Sequence, residues 1–313
     1  MSKALVSGGA GFIGSHIVEI LLENNWEVRI LDNFSTGSQS NLDHLRKDVE
    51  VHLGDVACFD DCAKAVAGVE VVFHQAAIPS VPRSVADPVG THAANLTGTV
   101  NLLSAARSAG VRRLVLASSS AVYGNDPGFP KRENMPPAPA SPYAAQKLSG
   151  EYYLRVFSEL KALETVSLRY FNVFGPRQDS KGDYACLIPR FIKLINQGKR
   201  PTINGHGRQT RDFTFVDDVI EANLLAAQTE NKDCFGQTFN IGAGRDISVN
   251  RVTKEILKLA KKKIRPIHGP AVVEPKNSLA DIEKAKKMLS WQPQVSFKKG
   301  LQKTYRYFVE NVN

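Results

Sequence analysis

"SGGAGFIGSH", residues 7–16, sets Gly8, Gly11 and Gly14 three positions apart, after the apolar run 3–7 and at the start of the helical pattern "GSHIVEILLENN". Glycines so placed between a strand and a helix let backbone N–H groups approach a pyrophosphate, whose charge the positive end of the helix dipole favours. Spacing alone recurs in many structural turns; the strand before it and the helix after it supply the meaning. The next strand-like run, "EVRILDN", brings Asp32 to its end, 24 residues after Gly8. A carboxylate there accepts hydrogen bonds from a ribose and repels a 2′-phosphate, which predicts NAD rather than NADP. Asp55 closes "VEVHLGD" in the same way, within reach of an adenine amine.

Outward from this turn, "VEVVFHQAA", "RRLVLASSS" and "LETVSLRYFNVFG" repeat the strand theme, with helical patterns over 60–67, 95–109 and 143–161 between them. Strands alternating with helices predict an α/β fold, a Rossmann-like doubly wound parallel sheet covered on both faces. From about residue 177 the pattern loosens into loop-rich stretches such as "PTINGHGRQTRDFTFVDDV". The expected division is a nucleotide-binding portion over 1–175 and a smaller α/β substrate-binding portion over 176–313.

The 313 residues are 42% hydrophobic and 23% charged, the balance of a soluble globular chain. The net charge of +9 gathers late, at Lys254, Lys258, Lys261, Lys262, Lys263 and Arg265 and again after Lys284. Neither zinc-finger spacing nor an aromatic-basic RNA-binding signature accompanies it, so a solvated helix face and an anionic small substrate are expected rather than nucleic acid. Cys58, Cys62, Cys186 and Cys234 form no C-x-x-C pair, which predicts reduced thiols and no metal site. With no apolar stretch near the roughly 20 residues that cross a bilayer, and "MSKALVS" leading straight into a strand, a cytoplasmic protein is expected.

Two more segments carry chemistry. "LASSSAVYG", 116–124, ends a strand with three serines, at the sheet edge where open parallel sheets bind ligands. "SPYAAQK", 141–147, sets Tyr143 and Lys147 one helical turn apart on one face. Moving a tyrosine pKa from about 10 to about 7 takes roughly 4 kcal/mol. A positive charge at about 4 Å supplies about that much at an effective dielectric near 20. The spacing therefore suits a phenol made basic by its neighbour.

The chain resembles the extended short-chain dehydrogenase/reductases, and among them the UDP-hexose 4-epimerases. The resemblance runs over nearly its whole length, through "GGAGFIGSH", "LDNFSTG", "GDV", "HQAAIPSVPRSVADP", "SSSAVYG", "SPYAAQK", "RYFNVFGPRQ", "QTRDFTFVDDV" and "FNIGAG". Related dehydratases and decarboxylases tend to carry an acid just after the active-site Ser or Thr; here Ser120 and Ala121 follow Ser119. The resemblance implies that Tyr143 takes the sugar 4-OH proton, that Lys147 is its electrostatic partner and that Ser119, with Ser118 and Ser120 as close competitors, donates to the reacting oxygen. It also implies that NAD is retained through oxidation, rotation of a 4-keto sugar and reduction.

Further cofactor contacts are implied at Phe12, Ile13, Asn33, Ser35, Gly37, Val56, Gln75, Ala76, Ala77, Asn95 and Tyr170, with Tyr143 and Lys147 also reaching the dinucleotide. Substrate contacts are implied at Ser80, Asn172, Thr202, Asn204 and Arg211. One departure stands out: Ala271 falls where the family often carries a phosphate-clamping arginine, leaving Lys276 as a substitute charge. Ser278 falls where glucose-restricted epimerases are bulky, which suits UDP-GlcNAc and UDP-GalNAc as well as UDP-Glc and UDP-Gal. The alternatives within the fold are a UDP-glucuronate 4-epimerase or a 4,6-dehydratase; outside catalysis, an NAD-sensing or nucleic-acid-associated protein. A homodimer is implied, with helices 95–109 and 143–161 as the interface candidates.

Overall fold

The computed structural model describes residues 2–45, 47–179, 186–271 and 277–311. Numbered in chain order, the elements are β1 (Lys3–Ser7), α1 (Phe12–Glu23), β2 (Glu27–Asp32), β3 (Val49–Leu53), α2 (Phe59–Val66), β4 (Val71–His74), α3 (Val81–Ala86), α4 (Pro88–His92), α5 (Gly98–Ser108) and β5 (Arg113–Ser119). The chain continues through α6 (Pro142–Glu159), β6 (Glu164–Tyr170), α7 (Leu187–Asn196), β7 (Thr202–Asn204), β8 (Thr210–Asp212), α8 (Val216–Gln228), β9 (Gln237–Ile241), β10 (Asp246–Ser248), α9 (Val249–Leu259), β11 (Ile267–Gly269), α10 (Glu283–Leu289) and α11 (Phe297–Asn311).

Seven parallel strands form one sheet in the order β3-β2-β1-β4-β5-β6-β9. Alternation along β1 shows how two layers of helices are held. Ala4 and Val6 join the core cluster containing Ile17 and Leu21 of α1, while Leu5 joins the opposite one with Leu102 and Ala106 of α5. The strand order reverses between β1 and β4, the crevice where such sheets bind ligands. Because all seven strands run the same way, the glycine turn, Asp32, Asp55, Gln75, Ser119 and Asn172 all emerge at one edge.

Three features differ from the sequence expectation. The helix expected over 95–109 begins as a π-helical turn, Ala93–Thr97, before α5. Its Asn95 side chain turns inward there to bond Ile78 and Gln146. Residues 237–241, far beyond the expected boundary at 175, return to the main sheet beside β6. The remaining small strands pair only as two ribbons, β8 with β10 and β7 with β11.

Under the ligand edge lies a buried polar chain. His74 Nδ1 is 2.7 Å from Ser7 Oγ and Nε2 is 2.9 Å from Thr99 Oγ1. Thr99 Oγ1 donates to Asn95 O (2.7 Å), so it accepts from Nε2–H and leaves Nδ1 to accept from the Ser7 hydroxyl. Burial, then the Lys147 charge, pushes this imidazole down from 6.5 to about 3. The unfolded chain takes up that proton as pH falls through 6.5 and the folded one does not until about 3. Its contribution to stability is thus full above pH 6.5 and is lost below it. Asp212 and Asp218, raised by burial to about 7 and 6, act in the opposite direction over the same range, so the effect is read by comparison. The stability difference between wild type and H74Q should shrink by about 2 kcal/mol between pH 7 and pH 5 in urea denaturation; a constant difference would refute the assignment.

Candidate active site

The glycine turn is built by close approach. Gly8 sits at φ 71° and a Cβ there would fall 2.6 Å from Ala76 N, while one on Gly14 would fall 2.1 Å from Gly8 O. Helix α1 is thereby pressed against β1 and β4. Gly11 is different: a Cβ would meet only Gly8 O, at 3.1 Å, so the missing side chain leaves open space in front of the turn. Gly11 is also the N-cap of α1 and no side chain among the described residues caps that helix, which leaves the N–H groups of Phe12, Ile13 and Gly14 available to an acceptor from outside the chain. A cradle of this shape and polarity fits a pyrophosphate.

Asp32 does two things, and only one was legible from its position. Its carboxylate accepts from Ala10 N–H (2.9 Å) and Phe34 N–H (2.8 Å), which ties the glycine turn to the end of β2. Each oxygen keeps a further lone pair for a ribose hydroxyl. Burial raises its pKa, against which the two backbone donors pull. Beside it, Asn33 donates to Asp55 Oδ2 (2.9 Å) and accepts from Ser35 N–H (3.0 Å), and Asp55 Oδ1 accepts from Ala57 N–H (2.8 Å). Gly37 and Val56 serve packing: a Cβ on Gly37 would sit 2.9 Å from Ala10, and Val56 lies where a Cβ on Gly98 would clash. Ala76 and Ala77 follow β4 on the loop that Asn95 fastens through Ile78 N–H (2.7 Å). Asn95 is itself fully buried and spent on protein partners, so its contribution to a dinucleotide site is to position that loop.

At the ends of β5 and β6 the chemistry-bearing groups meet. Ser141 caps α6 by accepting from Ala144 N–H (3.2 Å), with Pro142 at the first helical position, so α6 starts sharply and Tyr143 lies in its first turn. The Tyr143 backbone N–H donates to Ser84 Oγ (3.1 Å), and Ser119 lies close enough to its hydroxyl to pull the phenol's pKa down. Among the three serines the geometry separates the roles. Ser118 turns into the core and donates to Glu151, whereas Ser119 faces the phenol and accepts from Ala121 N–H (3.1 Å).

Lys147 lies one turn along α6, 4% exposed, but its Nζ donates to Ala117 O (2.8 Å). Burial lowers its pKa to about 8, opposed by the charge of Glu151. The phenol of Tyr143 is raised by burial, with Ser119 pulling it down. The expectation of a phenol depressed by this lysine is therefore corrected: burial holds the phenol above its ordinary range, and Lys147 is not among the groups that pull it down.

Gln75 and Tyr170 form a triad with Asn223 of α8, which the sequence reading missed; Asn223 Nδ2 donates to Tyr170 Oη (2.8 Å) and Gln75 Nε2 to Asn223 Oδ1 (3.2 Å). Ser80 is the N-cap of α3. On the other side of the edge, a cavity of about 280 Å³ is lined by Asn172, Thr202, Asn204 and Arg211, together with Gln178 and Arg190, which the sequence reading did not select. Asn172 adopts φ 28°, tolerated by asparagine, and its Nδ2 donates to Asp212 O (3.2 Å). Arg211 donates to Thr210 O (2.8 Å) rather than pairing with Asp212, whose carboxylate accepts from Ala243, Gly244 and Ala280 N–H. Ser278 N–H donates to Thr210 O (3.2 Å), which brings its strap alongside β8. Lys276 lies outside the described residues.

A wider groove of about 490 Å³ follows α9, walled by Lys254, Lys258, Lys261, Lys262 and Lys263. It offers lysine stems and apolar side chains but no convergent acid–base groups, so the late positive charge is separate from the chemistry. No group of metal-ligating side chains occurs among the described residues, and no helix among them is long and apolar enough to cross a membrane.

Residues 4–242 match the NAD dependent epimerase/dehydratase family. The chain belongs to that family. It is 39% identical over 311 residues to the UDP-glucose 4-epimerase of Mycolicibacterium smegmatis, covering 98% of each chain. Its fold superposes with a TM-score of 0.94 on the UDP-N-acetylglucosamine 4-epimerase of Methanobrevibacter ruminantium in complex with UDP-N-acetylmuramic acid, at 37% identity over 99% of both chains. It is also similar to the UDP-glucuronic acid 4-epimerase of Bacillus cereus solved with UDP-glucuronic acid and NAD, with a TM-score of 0.91 and 34% identity over 98% of this chain and 99% of that one. This family member is thus an NAD-dependent enzyme of the UDP-sugar epimerase group.

Proposed function

We propose that this enzyme interconverts C4 epimers of UDP-hexoses through a transient 4-keto sugar, acting on UDP-GlcNAc/UDP-GalNAc and on UDP-Glc/UDP-Gal. The observation that carries the reading is the meeting of Ser119 and Tyr143 at the ligand edge, with Lys147 one turn behind the tyrosine. Tyr143 accepts the 4-OH proton and later returns it. Ser119 donates to the reacting oxygen, and Lys147 adds positive charge that favours the phenolate. Bound NAD supplies reversible hydride acceptance at C4; Gly8, Gly11, Phe12, Ile13 and Gly14 would hold its pyrophosphate, Asp32 its ribose and Asp55 with Asn33 its adenine end.

Arg211 and Asn172 take the diphosphate, Thr202 and Asn204 the uridine, while the small Ser278 leaves room for an N-acetyl group. With Ser120 and Ala121 after Ser119, the chain carries no acid there to drive loss of water. Residues 1–175 hold the dinucleotide and 176–313 mainly the UDP-sugar. Pairing of two copies through α6 belongs to the same proposal, since Tyr152, Tyr153, Val156 and Leu160 are exposed along that helix. Incubating the enzyme with NAD and each UDP-sugar, then separating products chromatographically with mass detection, should yield the C4 epimer at unchanged mass. A product lighter by water or carbon dioxide would refute the reading.

A further inference from the structure

Asp212 ends β8, one residue after Arg211, and is completely buried. Its carboxylate meets backbone donors: Oδ1 accepts from Ala243 N–H (2.7 Å), and Oδ2 from Gly244 and Ala280 N–H (both 3.1 Å). Among the described residues no ion pair joins it, and burial pushes its pKa up to about 7. A charge buried without a partner ion is costly, and these three donors offset that cost in one arrangement of the chain.

That arrangement joins three segments far apart in sequence: β8, the loop 242–244 after β9, and a strap over 277–280. Along the strap, Thr210 Oγ1 donates to Asn277 Oδ1 (3.0 Å), Ser278 N–H to Thr210 O (3.2 Å) and Ala280 N–H to Asp212. Gly242 permits the approach, since a Cβ there would fall 2.8 Å from Asp212 Oδ2 and 2.5 Å from Ala280 Cβ. On the strap's other side Leu279 O accepts from Lys131 N–H (2.8 Å), a tie that does not depend on Asp212. The residues assigned above to the diphosphate and the sugar gather around this clasp. Arg211 precedes Asp212, Asn172 Nδ2 donates to its carbonyl, and Ser278 lies two residues before Ala280.

We infer that Asp212 is a positioning residue for the UDP-sugar: by clasping the 242–244 loop and the 277–280 strap onto β8, it sets the spacing of Arg211, Asn172 and Ser278. This rests on the reading of the cavity as a UDP-sugar site and deepens it. A misplacement of about 1 Å in an orienting contact can cost on the order of 10²-fold, so a clasp that touches no ligand still governs binding. Asp218 supplies the contrast. It too is a buried aspartate that accepts backbone N–H groups, from Gln294 (2.7 Å) and Val295 (3.1 Å), but these partners lie away from the cavity wall.

The test is calorimetric binding of UDP-glucose and of NAD to the full chain at pH 8, where Asp212 is ionised, with urea titrations of each variant. Asp212→Asn keeps the shape and turns one acceptor into a donor. It should weaken UDP-glucose by roughly tenfold and leave NAD within about twofold. Asp218→Asn should lose urea stability while both affinities stay within about twofold. In an Arg211→Met background the Asp212→Asn effect on UDP-glucose should shrink, because part of what the clasp positions is already gone. Gly242→Ala crowds the same carboxylate without removing it and should show the same selective loss, which keeps the test open if Asp212→Asn does not fold. Unchanged UDP-glucose affinity, a loss shared equally by NAD, a loss that Asp218→Asn reproduces, or full additivity with Arg211→Met overturns the inference. A wild type that binds NAD but no UDP-sugar overturns the functional reading instead.

Discussion

Tyr143→Phe should lower the rate of C4 epimerisation by about 10²–10⁴-fold, the range associated with loss of a positioned acid–base group. Affinities for NAD and UDP-sugar should stay within a few-fold. The ring is held by α6, whose cap at Ser141 and whose backbone bond from Tyr143 N–H to Ser84 do not involve the hydroxyl, so the phenylalanine ring should occupy the same place. What disappears is the hydroxyl beside Ser119, the group placed to exchange a proton with a sugar oxygen. Burial holds that phenol above its ordinary pKa and holds Lys147 down to about 8, so a basic phenol requires positive charge beyond what the protein alone supplies. Bound nicotinamide is the natural source. The wild-type rate should accordingly climb with pH while Tyr143 loses its proton and level off or fall as Lys147 loses its own near 8. Product chromatography over a pH series checks both statements, and a variant retaining a tenth or more of the rate removes Tyr143 from its role.

The parts of this site that depend on sequence-local geometry were readable from the residues. Gly8, Gly11 and Gly14 act within one turn, and Tyr143 with Lys147 within one helical repeat, so spacing alone brings them together. Asp32 was readable as a strand end, yet its hold on Ala10 N–H depends on two segments 22 residues apart. The groups that escaped arrive from remote chain positions. Asn223 reaches Gln75 across 148 residues because α8 packs on the sheet, and the strand at 237–241 comes back to β6 after the chain has built β7, β8 and α8. No periodicity announces either. The resemblance implies a cofactor contact at Asn95, but the π-helical turn carries its side chain inward to Gln146 and the Ile78 backbone, a change of face that a helical count cannot anticipate. One signal was available and unused: Glu151 continues the Tyr143–Lys147 face by another turn, a third polar residue on the buried side of α6.

That third residue carries the second large effect expected of this protein. Glu151 and Arg169 form a bidentate ion pair, Nη2 to Oε2 at 2.7 Å and Nε to Oε1 at 2.9 Å, with both side chains about 5% exposed or less. Ser118 donates to the same carboxylate, and the guanidinium stacks over Tyr123 at 4.7 Å, whose hydroxyl in turn donates to Asn240 Oδ1. Glu151→Leu would strand a buried guanidinium whose Nη1 already lacks a hydrogen-bond partner among the described residues. Such a loss typically costs about 3–5 kcal/mol, and substituting both members by apolar residues typically costs far less. In urea titrations at pH 7, Glu151→Leu should therefore be destabilised by several kcal/mol, while Glu151→Leu combined with Arg169→Met should recover most of it. The same carboxylate raises the Lys147 pKa, so in the double variant the upper limb of the rate profile should move to lower pH. If instead the two substitutions prove additive and the limb stays in place, the pair is neither a unit of the fold nor a support for Lys147.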